Sequence, residues 1–158
     1  MFLVFDTETT GLPKRWNAPI DDLDNWPRCV QLAWQLHDAN GKLIENQNYL
    51  IKPVDFDIPF ESEKIHGIST ELAKSHGDEL DFVLKQFGKA LNKAQFIVGH
   101  NINFDKNIIG AEFLRAGNKK LNLQNFIILD TCTEHTASLC KLQGGRGGRF
   151  KLPTLVEV

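Results

Sequence analysis

The sequence predicts an α/β fold on a mixed, five-stranded sheet, and three observations carry that reading. Residues 2–5 (Phe-Leu-Val-Phe), 96–98 (Phe-Ile-Val) and 126–129 (Phe-Ile-Ile-Leu) are short apolar runs of the kind that form buried strands. Residues 30–36 alternate apolar Val30, Leu32, Trp34 and Leu36 with Gln31, Ala33 and Gln35, the period of a strand buried on one face. Helical spacing separates these strands at Leu80, Val83, Leu84, Phe87 and Leu91, and again at Phe104, Ile108, Ala111 and Leu114.

Taken in order, the run at residues 2–5 is a central strand, followed by a long loop at residues 11–27 rich in Pro, Asn and Asp. The strand at 30–36 turns at Asn40-Gly41, a strong hairpin signal, into a strand reaching about Ile51 and stopped by Pro53. This hairpin forms an antiparallel edge. The later strand–helix units imply parallel strands with helices on the faces of the sheet. Thr131 and Glu134 have capping-box spacing for a helix after the last strand. Residues 143–149 form a Gly-rich loop, and residues 152–155 open one more helix with Pro153 in its first turn.

With 158 residues, 42% apolar and 24% charged, the chain has the composition of one globular domain, expected over residues 1–158. Its three cysteines show no CxxC pair, which suggests neither a disulfide framework nor a zinc site. No apolar run approaches the roughly 20 residues of a membrane helix, and a cytoplasmic location is expected. A formal charge of −2 argues against a protein that coats duplex DNA. It leaves open an enzyme whose site carboxylates await cations.

Asp6 and Glu8 lie two apart at the end of the first strand, so both point to one face. Crowded carboxylates raise each other's pKa unless a cation neutralises them, and oxygen-only donors suit Mg²⁺ or Mn²⁺. Asp105 sits in the first turn of the helix after residues 96–98. Neighbouring parallel strands end on the same side, which brings Asp105 toward the Asp6/Glu8 face. Each acid also has an ordinary reading, as a solvated strand end or as a helix-dipole partner.

Four segments decide between these readings. Phe5-Asp6-Thr7-Glu8-Thr9-Thr10-Gly11-Leu12 and Val98-Gly99-His100-Asn101-Ile102-Asn103-Phe104-Asp105 resemble the first two motifs of the DnaQ-like (DEDD) 3′→5′ exonuclease superfamily, whose epsilon-type members proofread in bacterial DNA polymerase III. Ile65-His66-Gly67-Ile68 resembles the HGI segment between them, and Leu129-Asp130-Thr131 resembles a later strand end of the family. The resemblance implies a ribonuclease H-like fold and two-metal hydrolysis of DNA from its 3′ end, in proofreading or repair. Asp6 would bridge both ions, Glu8 would bind the water-activating one and Asp105 the second. Thr9, Leu12, His66, Asn101 and Phe104 are the candidates for holding the nucleotide.

The family's third motif, with its His or Tyr and a last Asp, lies beyond the segment matching residues 152–158. By resemblance the domain is therefore C-terminally incomplete, and these residues alone are expected to show little turnover. His37, His76 and His135 match no family position. The expected partners are a single-stranded or frayed DNA 3′ end and a DNA polymerase subunit, with no membrane. Two alternatives share the same residues: an RNA-trimming exonuclease, and a domain that binds nucleic acid or a polymerase without cutting. Phe104 reads equally as core, His66 as a histidine near a helix start, and Arg146, Arg149 and Lys151 as a solvated loop. Trp16, in the 11–27 loop, is either a stacking residue or part of a lid.

Overall fold

A computed structural model describes residues 1–118 and 125–140. The expectations for residues 143–149 and 152–155 lie outside the described residues. Five strands form one sheet, β1 (Phe2–Thr9), β2 (Cys29–His37), β3 (Leu43–Leu50), β4 (Phe96–Gly99) and β5 (Ile127–Asp130), in the spatial order β3-β2-β1-β4-β5. The first three pair antiparallel, and β4 and β5 run parallel to β1. This is the mixed sheet expected, with the hairpin on one side.

Alternation along the strands divides the sheet into two faces. Leu3, Phe5, Leu32, Trp34, Leu36 and Ile97 point to one side and are buried there with Val83, Leu84 and Phe87 of α3 (Leu80–Leu91) and Ile108, Ile109 and Phe113 of α4 (Asn103–Arg115). Val4, Asp6, Gln35, Asn48 and Val98 line the other side, around an open cavity of about 530 Å³. β5 was expected to be buried, but Ile127 and Leu129 are exposed, because β5 is the last strand in the sheet order and no described helix covers that face.

The helix after β5, α5 (Glu134–Leu139), starts two residues later than the Thr131/Glu134 spacing predicts. Thr133 is its N-cap, accepting from the Thr136 N–H at 3.1 Å, while Thr131 is used by His100 and Gly99. Two short helices carried no clear sequence signal, α1 (Phe60–His66) and α2 (Thr70–His76). The first ends at Gly67, whose φ of 76° lies in the left-handed region that favours glycine. Ser69 caps the second by accepting from the Leu72 N–H. Among the described residues no helix is long and apolar enough to cross a membrane.

Candidate active site

The carboxyl end of β1 carries the site. Asp6 and Glu8 project from the face opposite the α3/α4 core, in register with Ala33 and Gln31 of β2. A bulge between Glu8 and Thr9 breaks the pairing at this point, a device that re-aims side chains beside functional sites. Burial raises the pKa of both acids. His100 on the next strand end opposes the rise at Asp6, and the Asp6 charge adds to it at Glu8.

Asp105 arrives from the core side rather than from the Asp6/Glu8 face. Its Oδ1 accepts from the Thr7 backbone N–H at 2.9 Å and from the Thr7 hydroxyl at 2.6 Å. Thr7 points opposite to its neighbours, so Asp105 grips the residue between the two acids. Asp105 is only 3% exposed. Burial pushes its pKa to about 7, with Asp6 adding to the rise and the Thr7 bonds opposing it. That Asp6 is felt at both Glu8 and Asp105 shows the three carboxylates share one electrostatic neighbourhood.

Several contacts hold Asp105 in place. A Cβ on Gly99 would lie 2.4 Å from Ile102 Cδ1 and 3.1 Å from the Phe5 carbonyl oxygen, so glycine lets the end of β4 close on β1. Asn101 adopts φ 60°, and its N–H donates to Asp130 Oδ1 at 2.8 Å. The same oxygen accepts from the Cys132 N–H at 2.8 Å. Asp130, at the end of β5, thus fixes the turn that launches α4.

Beside the acids lies a smaller cavity of about 190 Å³, lined by Thr7, Glu8, Thr9, Gly11, Leu12, Ser62, Ile65, His66 and Phe104. Four of the five expected nucleotide-binding residues meet here. Asn101 does not, because its backbone is committed to the Asp130 turn. Thr9 is buried and donates its hydroxyl to the Gly11 carbonyl at 2.7 Å. His66 ends α1 rather than beginning a helix. Its Nδ1 accepts from the Ile68 N–H at 3.1 Å, so the neutral ring carries its proton on Nε2, a buried atom beside the Thr9 backbone. Burial lowers the His66 pKa, opposed by the nearby Thr9 backbone and Glu63. Phe104 packs partly on the core and also lines the cavity.

A family description for exonucleases, of the RNase T type, matches residues 3–145. The chain belongs to this exonuclease family. The DNA polymerase III PolC-type of Mycoplasmopsis pulmonis is 28% identical over 130 residues, which is 82% of this chain and 8% of that protein. The 3′-5′ exonuclease DinG of Bacillus subtilis is 30% identical over 130 residues, again 82% of this chain but 12% of the relative. The exonuclease domain therefore spans about a tenth of the length of these curated relatives. Its fold matches the E. coli exonuclease I crystallised with a dT13 oligonucleotide, with a TM-score of 0.68 and 22% identity over 88% of this chain and 29% of that one.

Asp6, Glu8 and Asp105 each have a raised pKa, and oxygen-only donors suit a hard cation. Among the described residues, no three His, Cys, Asp or Glu side chains close into a metal-holding group. Asp6 and Glu8 supply an open, two-acid edge, and Asp105 stands behind it. Thr7, His100 and Asp130 lie within the matched segments, but no role was expected of them from the sequence.

Proposed function

We propose that this chain is the nuclease part of a metal-dependent 3′→5′ exonuclease acting on DNA ends. The observation that carries the reading is the pair Asp6 and Glu8 on one face at the end of β1, with Asp105 bonded to Thr7 between them and Glu8 lining the cavity that holds Leu12, His66 and Phe104. Asp6 and Glu8 would hold Mg²⁺ or Mn²⁺, and Asp105 would add charge from behind. When bound, the cation offsets negative charge developing on the scissile phosphate and acidifies a water molecule. The chain's own residues position the substrate. The His66 Nε2–H offers a donor, Phe104 forms an apolar wall for the base and Leu12 wedges at the rim. The oligonucleotide held by exonuclease I and the 3′-5′ activity named for the B. subtilis relative support DNA and this polarity. The PolC relative supports association with a polymerase.

Calorimetric titration with Mn²⁺ tests the site without requiring turnover. Asp6→Ala is expected to abolish binding, and an unchanged isotherm would overturn the assignment. Whatever turnover occurs on a single-stranded oligonucleotide labelled at its 5′ end should come from its 3′ end only, and a matched RNA oligomer separates DNA from RNA trimming.

A further inference from the structure

We propose that Trp16 is a base-stacking platform for the nucleobase next to the terminal one, on a single strand whose 3′ end occupies the Leu12/His66/Phe104 cavity. The inference rests on the proposed exonuclease reading and adds a residue and a contact to it.

The long loop between β1 and β2 is built, not slack. The buried Asn25 side chain holds the Arg15 backbone from both sides, accepting from its N–H at 2.7 Å and donating to its carbonyl at 3.1 Å. Arg115 of α4 donates to the Leu23 and Trp26 carbonyls, both at 2.6 Å. Trp26 is buried, and its indole N–H donates to the Pro19 carbonyl at 2.9 Å. Ile20 lies against Gly110 of α4, where a Cβ would come within 3.0 Å of it.

Trp26, with Ala18, Ile20 and Leu23, already supplies the apolar packing of this loop against the core. Trp16 is not part of it. It follows the clamped Arg15 directly and remains 58% exposed. Its ring lies 5.9 Å from that of Phe104, tilted by 50°.

Phe104 is the wall of the cavity, and Leu12 and Ile65, 72% and 84% exposed, form its rim. Trp16 thus extends the apolar wall one ring outward from the terminal-nucleotide cavity. A strand leaving that cavity past Phe104 presents its next base to this ring. Stacking on an aromatic face accepts every base, as an enzyme that removes successive nucleotides requires. The exposed Lys14, two residues earlier in the loop, offers charge to the adjoining phosphate. A protein partner seated on this patch is the rival occupant.

Trp26 and Trp34 are buried, so acrylamide quenching of tryptophan fluorescence reports chiefly on Trp16. With Mg²⁺ present, octathymidylate is expected to shield Trp16 from acrylamide, and thymidine 5′-monophosphate is not. Trp16→Ala should weaken octathymidylate binding about 5- to 150-fold, from the usual worth of one base stack. Binding of the monophosphate should stay unchanged, and Trp16→Phe should recover most of the loss. An octamer lacking its penultimate base should bind the unsubstituted chain as weakly as the intact octamer binds Trp16→Ala. Unchanged octamer binding in Trp16→Ala overturns the inference alone and favours the protein partner. Equal loss for octamer and monophosphate overturns it too, because Trp16 would then only prop Phe104. Failure of the unsubstituted chain to bind either probe removes the exonuclease reading along with it.

Discussion

At Asp105 burial and hydrogen bonding oppose each other, and burial wins. The folded protein keeps the proton up to about pH 7, whereas the unfolded chain releases it near the ordinary 3.8. Between these values the folded state binds more protons, so stability falls as pH rises through this window. Asn at this position retains an oxygen able to accept from the Thr7 N–H and hydroxyl, yet carries no charge to desolvate. Without divalent cation, Asp105→Asn is therefore expected to be more stable than the parent, by a margin that grows between pH 5 and pH 8 by roughly 1–3 kcal/mol. Urea denaturation at several pH values measures this, and a margin independent of pH would refute it. The same substitution should weaken Mn²⁺ binding, since the ionised form is the one a cation needs. The metal-free fold is held back at the residue expected to serve its chemistry.

One scale up, the β1–β2 loop and α4 act as a unit through Glu112. This side chain is fully buried, and its Oε1 accepts from Arg28 Nε at 3.0 Å, the Cys29 N–H at 2.9 Å and Arg115 at 3.0 Å. Its Oε2 is buried without a partner. Removing one member of a buried charge cluster strands the others, typically at about 3–5 kcal/mol. Glu112→Ala is expected to lower the melting temperature and to speed tryptic cleavage after Lys14 and Arg15. A variant with unchanged melting and cleavage would show that the loop is held elsewhere. None of this could be read from the sequence, where residues 11–27 form only a polar, Pro-containing stretch and Glu112 only a helical acid. The strands were legible from short apolar runs, the alternation at 30–36 and the Asn40-Gly41 turn, and the two longer helices from helical spacing. α1 and α2 were not, since seven residues with Phe60 and Ile65 in solvent give no periodic signal. The acids were legible as a spacing, but the approach of Asp105 to Thr7 from the opposite face depends on how α4 is launched by Asp130, 25 residues further along the chain.

Across the whole molecule, the parallel run of β1, β4 and β5 brings Asp6, Glu8, His100 and Asp130 to one edge of the sheet, and α1 closes the far side of the terminal cavity with Ser62, Ile65 and His66. That enclosure has a consequence for substrate choice. A cavity of about 190 Å³ walled by Phe104 and His66 has no room for a base together with its pairing partner. A terminal nucleotide must leave its duplex before its phosphate reaches the acids. Unpairing costs a few kcal/mol and least at a mismatch, with one stacked step worth about 1.4 kcal/mol. A mismatched 3′ end is therefore expected to be removed about tenfold faster than a matched one on the same primer–template. The ratio of initial rates at fixed salt measures this whatever the absolute turnover. The preference should shrink as temperature rises toward the melting of the primer, because fraying then supplies the separated end in both substrates. Equal rates on both ends well below that temperature would mean that the terminal base is not separated before cleavage, and the cavity beside Glu8 would lose its assignment.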